Sequence, residues 1–360
     1  MEKPFFKSQT FYLNLLISQL LIHIVYKLTY IDYIENHLEI SKNLFDSNFE
    51  KNQFFIESPF YILLSNILKI TNIDIFLILI YLTTQIFLLF ILIKINFLGN
   101  YSTIFLFSGW LVTVSWFMGY VDIISVFLII ILSKQIFQEN KQIDLKITLY
   151  FALLSLNHYG IAIFIFINLL LLSNKKRIME LFKYSLIGIA IGYLFINIYL
   201  NFISFSGRSR IRFIFNDGIL RNSIDFVSSN LLELFWSGLL GTIFILLYFV
   251  FTSERQQIIK YLSVVIVSVF ATSLGLDTSR IFSIIILPLV IKMIIDFKKQ
   301  KIQNTTLERV IILLVVGVTF LFQEQYIYGK VNLVSPNQIA PNLYDLITKL
   351  VNSLFSNIWV

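Results

Sequence analysis

The run TIFLFSGWLVTVSWFMGYVDIISVFLIIILS, residues 103–133, decides the fold. It is too long for one comfortable membrane-spanning helix, which takes about 20 residues, and Gly109 and Gly119 stand where the chain could bend or turn. Asp122, within this run, is one of few ionisable groups in apolar sequence. A carboxylate near hydrocarbon is costly and is usually retained for ion, proton or substrate chemistry. The run therefore predicts a membrane fold and a functional residue together.

Composition excludes several classes of protein. The chain has 360 residues, of which 57% are hydrophobic and 16% aromatic, with a mean hydropathy of +0.81. These values predict an all-α, polytopic helical membrane protein. The chain has no cysteine and only three histidines, which excludes disulfides and leaves little for a histidine-rich metal centre. The net charge of +7 does not predict nucleic-acid binding, because the basic residues lie mostly between apolar runs, where they set orientation.

Loop charge predicts the number of membrane crossings. Lys and Arg accumulate on cytoplasmic connections. If 103–133 and 147–172 are both hairpins, then Lys134, Lys141 and Lys146 fall inside, whereas single spans would place them outside. We therefore expect about eleven transmembrane helices with the N-terminus inside. The apolar runs are 11–30, 73–93, 103–133, 147–172, 184–204, 233–252, 260–276, 280–297 and 308–323.

This topology predicts two regions. Residues 1–323 form the transmembrane domain with outer loops 31–58 and 205–232, and residues 324–360 form an outer-face tail. Residues 31–58 carry six acids and have apolar residues near one helical face, which indicates a helix on the membrane surface. The tail has 3.6-residue apolar spacing over 343–358 and predicts a second amphipathic helix.

Capping residues predict two helix starts in and after the first outer loop. Ser58 is expected to act as the N-cap, with Pro59 in the first turn, for a short helix through Leu68. Asn72 is expected to cap the next span.

Four residues that could take part in catalysis fall on the outer side. Asp32 and Glu35 directly follow the first span, where a general base could take a proton from an acceptor hydroxyl; alternatively they are acids of a solvated surface. Asp122 could hold a substrate hydroxyl or orient an arginine. His158, in Asn157-His158-Tyr159-Gly160, is either a hydrogen-bonded core residue or a catalyst.

Arginines on the outer side predict a phosphate site. Arginines in the predicted outer loop 205–232 are contrary to the tendency of basic residues to lie on cytoplasmic loops. The planar guanidinium group of arginine is suited to binding phosphate. Alternatively, these arginines bind ordinary anionic lipid or pair with the acidic first outer loop. The candidates in this loop are Arg208, Arg210 and Arg212. Asp277 and Arg280, three residues apart, could pair on a helix, as a structural ion pair or as part of the phosphate site.

The chain has no P-loop, zinc motif, serine-hydrolase elbow or haem motif. An activated group would therefore have to arrive on a lipid. The sequence resembles the GT-C superfamily of integral membrane glycosyltransferases, mainly over residues 1–172. The resemblance lies in Tyr30-Ile31-Asp32-Tyr33-Ile34-Glu35, Ser58-Pro59-Phe60-Tyr61 and Gly119-Tyr120-Val121-Asp122.

The resemblance implies a polyprenyl-phosphate-linked sugar donor, a glycan or lipid acceptor, and a membrane lipid environment. Asp32 or Glu35 would deprotonate the acceptor hydroxyl, and the transfer would invert the anomeric carbon. Arg208, Arg210, Arg212 or Arg280 would stabilise the leaving phosphate. No cofactor is required and a divalent cation is optional. The expected place is a bacterial cytoplasmic (inner) membrane with the site facing outward, in polysaccharide biosynthesis.

Two other functions remain open. An envelope polysaccharide polymerase or ligase would use outer arginines to hold a polyprenyl-pyrophosphate glycan, and would need no acid after the first span. A lipid or sugar transporter would show inverted repeats and helices broken at the midplane, and the sequence has no convincing internal repeat.

Overall fold

In the computed structural model, residues 9–26, 28–31, 34–45, 58–138, 144–203, 219–275, 278–300 and 305–321 are described. They form helices joined by turns and short 3-10 segments. The helices are α1 (Gln9–Leu20, extended by a π-helical turn over Leu21–Tyr26), α2 (Ile34–Lys42), α3 (Phe60–Ile67), α4 (Ile73–Lys94), α5 (Ser102–Leu106), α6 (Gly109–Trp116), α7 (Asp122–Phe137), α8 (Leu145–Leu172), α9 (Ile178–Phe202), α10 (Ile219–Ser229), α11 (Leu231–Leu239), α12 (Ile243–Thr252), α13 (Arg255–Ser273), α14 (Thr278–Ile285), α15 (Leu287–Gln300) and α16 (Thr305–Leu321).

Several of these helices have the length and composition of membrane spans. Within the described residues, six helical stretches are long and apolar enough to cross a bilayer. They are Gln9–Tyr26, Ile73–Leu106, Leu145–Leu172, Lys175–Phe202, Leu231–Thr252 and Arg255–Ser273. The predicted class, an all-α membrane protein, is confirmed at this level. The six stretches do not give the number of crossings, because the chain reverses inside two of them.

The first reversal lies near residue 100. Asn14 Nδ2 donates to Ser102 Oγ at 2.7 Å near the start of α1, and Trp116 Nε1 donates to Tyr26 O at 2.7 Å near its end. Residues 102–116 therefore run parallel to α1. Gln19 Nε2, in α1, donates to Gln85 Oε1 at 2.9 Å in α4, and Thr10 contacts Asn100, so α4 runs the opposite way.

The predicted hairpin in residues 103–133 is confirmed by the direction of α7. The Phe127 ring lies 5.5 Å from Phe87, and Lys134 lies over the Phe97 ring, so α7 runs parallel to α4. It is therefore antiparallel to residues 102–116. The chain turns at Gly119, whose φ of +112° lies in the region that favours glycine.

The helix α8 reverses at His158. His158 has φ −164° and ψ 93°, which is not helical. The rings of Phe151 and Phe166 are 6.2 Å apart, whereas a continuous helix would separate residues fifteen positions apart by about 22 Å. The two halves of α8 therefore fold back on each other, and the predicted turn at His158 is confirmed.

The helix α9 packs closely along the first half of α8. A Cβ on Gly188 would lie 2.4 Å from Thr148 O, and a Cβ on Gly192 would lie 2.6 Å from Ala152 O. Along this contact the residue numbers of α8 and α9 increase in the same direction, so α9 runs parallel to the first half of α8. A reversal at His158 requires this orientation. The small residues let the two backbones approach, which is a common device between membrane helices.

The bundle has two chemically different ends. At one end, which we call the Arg280 end, Ser58 Oγ donates to Asn157 O at 2.6 Å and Arg280 contacts Asp122. At the opposite end, the Arg177 end, Arg177 Nη1 donates to Ile136 O at 2.6 Å and Lys298 Nζ to Phe97 O at 3.4 Å. Within the described residues, the turns near Asp122, His158 and Arg280 thus lie at one end and basic residues at the other, as predicted. Which end faces outside stays a prediction.

The capping predictions have different outcomes. Asn72 caps α4, because its Oδ1 accepts from the backbone N–H of Asp74 at 2.7 Å and of Ile75 at 3.2 Å. The prediction for Ser58 is wrong: Pro59 is the N-cap residue of α3. The Ser58 hydroxyl instead satisfies the carbonyl of Asn157, which ends the first half of α8 and has lost its helical partner. A helix is present in the predicted outer loop as α2, and its position on the membrane surface stays a prediction. The tail 324–360 lies outside the described residues.

Candidate functional site

The Arg280 end contains a buried ion pair between two helix starts. Asp122 is the first residue of α7, and Arg280 lies in the first turn of α14. Arg280 Nε donates to Asp122 Oδ2 at 2.5 Å and Nη2 donates to Oδ1 at 3.1 Å. The residues are 2% and 6% exposed. Two parallel bonds fix the plane of the guanidinium as well as its position.

An aromatic ring holds the same guanidinium. Arg280 Cζ lies 3.7 Å from the centroid of the Tyr120 ring. Tyr120 follows Gly119, where a Cβ would lie 2.5 Å from Ile34 Cδ1, so the glycine permits both the turn and the approach of α2. The contact between cation and ring adds to the ion pair. Arg280 is therefore oriented by two groups from one turn of the chain.

The first predicted outer segment lies against this turn. Ile31 N donates to Met118 O at 3.0 Å, and Met118 N donates to Thr29 O at 3.1 Å. These backbone bonds place the end of residues 28–31 beside the turn that leads into Asp122. Asp32 itself lies outside the described residues. Glu35 lies in the first turn of α2 and is exposed.

His158 has a structural task in this arrangement. Its Nδ1 accepts from the backbone N–H of Ile161 at 3.3 Å, as a cap for the second half of α8. This contact favours the core interpretation of His158 over the catalytic one. Four other predicted site residues lie outside the described residues: Arg208, Arg210, Arg212 and Asp277. The structure therefore brings together Asp122 and Arg280, which sequence reasoning had singled out separately.

Three neutral polar groups near the pair make no well-formed hydrogen bond among the described residues. They are Tyr61 Oη, Asn157 Nδ2 and Thr278 Oγ1, in residues that are 1%, 6% and 1% exposed. Buried polar atoms are normally paired, so each of these is a candidate for contact with a ligand or water. Sequence reasoning missed all three. Asn157 and Thr278 did stand in the polar interruptions that contain His158 and Arg280, and Tyr61 stood in the segment Ser58-Pro59-Phe60-Tyr61 that carries part of the resemblance.

Tyr61 lies within the electrostatic influence of Asp122. Burial raises the pKa of the Tyr61 hydroxyl, the neighbouring Thr84 lowers it, and the negative charge of Asp122 raises it. The Thr84 hydroxyl donates to Ile80 O at 2.9 Å and does not make a well-formed bond to Tyr61. The start of α3 is thus part of the surroundings of the ion pair.

The pair lies below the tips of the neighbouring helices. Tyr61 is level with Thr84, so α4 extends eleven residues, about 16 Å, further toward its start at Ile73. The helix α9 continues about 15 Å beyond Gly192, which touches α8 near Ser155. The ion pair and the turn at His158 therefore lie well inside the helix tips at the Arg280 end. We call the ion pair, Tyr61, Asn157 and Thr278, which are all buried, the buried polar centre.

The described ranges contain no group of three His, Asp or Glu side chains placed to hold a metal ion. The expectation of an optional divalent cation stays a prediction. No protein-family description matches this chain, and neither a curated protein nor a solved structure matches it. The resemblance to the GT-C superfamily therefore stays an expectation from the sequence, and the arguments for function rest on the chemistry of the buried polar centre.

Proposed function

We propose that this protein is a multi-pass membrane glycosyltransferase. It would transfer a sugar from a polyprenyl-phosphate donor to a glycan or lipid acceptor on the non-cytoplasmic face. The observation that carries the proposal is the guanidinium of Arg280, which Asp122 and Tyr120 orient in the buried polar centre, beside the first predicted outer segment. A fixed guanidinium in a water-poor site is suited to a phosphate that gains charge as it leaves.

The reaction needs a base and an anion site. Asp32 or Glu35 takes the proton from the acceptor hydroxyl, and the acceptor oxygen forms a bond to the anomeric carbon. The bond from that carbon to the phosphate oxygen breaks, and its electron pair leaves with polyprenyl phosphate. Arg280 stabilises the developing charge, and the anomeric configuration is inverted. In this proposal Arg208, Arg210, Arg212 and Asp277 complete the phosphate surroundings, and a divalent cation is optional.

The start of α14 supports the same place for the phosphate. Thr278 begins the helix, and its buried hydroxyl has no partner among the described residues. The first turn of a helix also presents backbone N–H groups without helical partners, which favour anions. Arg280 projects from this turn, so one helix start offers a hydroxyl, N–H donors and a guanidinium to one phosphate.

We also propose eleven crossings, in a bacterial inner membrane, with the Arg280 end outside. The five crossings beyond the six long apolar stretches would come from residues 102–116, α7, the second half of α8, α14 with α15, and α16. The cysteine-free chain allows a direct test. Asp74 and Lys176 are exposed near opposite ends, so Asp74→Cys should react with an impermeant maleimide in intact cells and Lys176→Cys only after permeabilisation. The reverse pattern would contradict the orientation.

A transporter is the second candidate, because two helices are interrupted. The helix α8 breaks at His158, and α14 and α15 are separated at Ile286, just before Pro288. Interrupted helices are common at transporter substrate sites. The acceptor base and the oriented leaving-group arginine have no role in transport.

The two candidates differ in whether a bond is broken. The test uses purified protein in vesicles with undecaprenyl phosphate carrying a radiolabelled hexose, and a crude envelope lipid and glycan fraction as acceptor. The proposal expects label in the acceptor and release of undecaprenyl phosphate. Movement of intact donor between leaflets without cleavage would replace the glycosyltransferase by the transporter.

A further inference from the structure

The side-chain amide of Asn157 is buried, and its N–H donor is unused. Asn157 ends the first half of α8 and is 6% exposed, and its Nδ2 has no acceptor among the described residues. Its backbone carbonyl is already satisfied by Ser58. An unpaired buried amide is unfavourable, so the folded chain retains a donor that its own described atoms do not use.

Tyr61 offers a second unused group on the same wall. It follows Ser58 by three residues, its hydroxyl is buried without a well-formed bond, and it lies within the influence of Asp122. The bond from Ser58 to Asn157 O joins the start of α3 to the turn of α8. Asn157 and Tyr61 are therefore held on neighbouring elements.

Both groups lie level with the ion pair. The helix α7 and the first half of α8 are antiparallel and are joined by residues 138–144, so Asn157 at the end of one lies level with the first turn of the other. Asp122 is in that first turn. The buried polar centre thus has a cationic part, Arg280, and a neutral hydrogen-bonding part, Asn157 and Tyr61.

We propose that Asn157 and Tyr61 bind the sugar of the lipid-linked donor. The inference rests on the proposed function, in which Arg280 holds the phosphate. An amide N–H and a phenolic hydroxyl are neutral, and they match the hydroxyl and ring oxygens of a sugar better than a phosphate, which prefers Arg or Lys. A site that hydrogen-bonds a substrate hydroxyl discriminates strongly against a ligand without it. Asn157 and Tyr61 are therefore the residues that distinguish a sugar-bearing lipid phosphate from a bare one.

Asn168 is a matched control in the same helix. It is fully buried, but its Nδ2 donates to Ser268 Oγ at 3.1 Å and to Ile285 O at 2.9 Å. This amide supports the break between α14 and α15. Tyr199, whose hydroxyl donates to Leu44 O at 2.8 Å, is the corresponding control for Tyr61.

The test measures binding of two probes to full-length protein in nanodiscs. The probes are undecaprenyl phosphate and the same lipid carrying one hexose, pentose or N-acetylhexosamine, taken in turn, and native mass spectrometry gives both affinities. Wild type should bind at least one sugar-bearing probe more tightly than bare undecaprenyl phosphate. Asn157→Asp, which keeps volume and removes the donor, should lower the affinity for that sugar-bearing probe about tenfold. Tyr61→Phe should lower it about fivefold, and neither should change binding of the bare lipid.

The controls and contrary outcomes are distinct. Asn168→Asp and Tyr199→Phe should leave the sugar-dependent gain in affinity intact. The inference is overturned if no sugar adds affinity in wild type, if Asn157→Asp and Tyr61→Phe leave the gain unchanged, or if they weaken both probes equally. Failure of wild type to bind even bare undecaprenyl phosphate overturns the proposed function and this inference with it. Binding of the bare lipid that depends on Arg280 but gains nothing from a sugar overturns the inference alone.

Discussion

Two carboxylate–cation pairs of this protein have the same short distance and different surroundings. Arg280 and Asp122 come from distant parts of the chain, whereas Lys292 and Asp296 lie one turn apart in α15, and each pair has a closest N to O distance of 2.5 Å. Asp296 also accepts from Tyr261 Oη at 2.5 Å. At the Lys292 pair, nearby side chains complete the hydrogen bonds, as expected of a structural contact between helices.

The Arg280 pair is surrounded by unused donors instead. Tyr61, Asn157 and Thr278 are buried and have no well-formed partner among the described residues. Natural proteins tolerate such unfavourable groups mainly where function requires them. The comparison teaches that the short distance of a buried ion pair does not identify a site, and that unsatisfied groups beside the pair make it a candidate.

The largest expected effect concerns the proposed base, Asp32. Asp32→Asn should lower the rate of sugar transfer by about 100- to 10,000-fold, because it removes a proton acceptor at nearly constant volume. Glu35→Gln should have a mild effect, because Glu35 is exposed. Initial rates in the vesicle assay measure both variants. A dead Glu35→Gln with an active Asp32→Asn would move the base to Glu35, and two active variants would contradict the mechanism.

The second prediction compares substitutions of the two cationic residues, Arg280 and Lys292. Arg280→Lys keeps the charge and loses the planar pair of donors, so kcat should fall by about 100- to 1000-fold with a smaller change in KM. Lys292→Arg, at the structural pair, should change kcat by less than about threefold. Equal losses in the two variants would mean that Arg280 is also structural.

The third prediction uses stability in place of rate. Asp122→Leu with Arg280→Met should leave Tm unchanged or raise it, because replacing a buried ion pair by apolar side chains is often neutral or stabilising by about 1–4 kcal/mol. Asp296→Leu with Lys292→Met should lower Tm, because Tyr261 and Gln257 lose their acceptor, at a cost of about 1–3 kcal/mol.

Thermal unfolding in detergent gives both values, and the first double variant should have no transfer activity. A Tm loss that is larger at the Arg280 pair would contradict the comparison.

The smallest effect is a dependence on pH confined to the Arg280 end. Burial lowers the pKa of His37, in α2, to about 3. The unfolded chain binds this proton near pH 6.5, so below that pH it holds more protons than the folded chain and the free energy of unfolding decreases. Between pH 6.5 and 5 the loss is about 2 kcal/mol.

Hydrogen exchange measures this locally. Amides of α2 should exchange faster at pH 5 than at pH 6.5 after correction for intrinsic rates, while those of α15 should not. His37→Gln should remove the difference, and acid-induced exchange that persists in this variant would contradict the assignment.

Sequence reasoning predicted the fold where charge and hydropathy gave independent signals. Lys134, Lys141 and Lys146 required hairpins in the runs 103–133 and 147–172, and the contacts of Phe127 and Phe151 show both. The all-α class follows from composition in the same way. These signals are local or depend on loop charge, so one sequence is enough to read them.

The site was predicted only in part, because pairing is long-range. Asp122 and Arg280 were each singled out, and the sequence paired Arg280 with the nearby Asp277 as readily as with a distant acid. The backbone bonds between residues 28–31 and 115–118 and the contact between α7 and α14 could not be read from periodicity. The error at Ser58 has the same cause, because its acceptor, Asn157, is far away in sequence.

The reversal of α8 has a consequence for the surrounding lipid. Each half contains about 13 residues and is about 20 Å long, whereas the hydrocarbon layer is about 30 Å thick. If both halves cross the bilayer, as proposed, annular lipids beside this hairpin must thin or admit water, which is a case of hydrophobic mismatch. A lipid-linked headgroup could then descend toward Asn157 without crossing a full thickness of hydrocarbon, so the bilayer itself would supply part of the entry route.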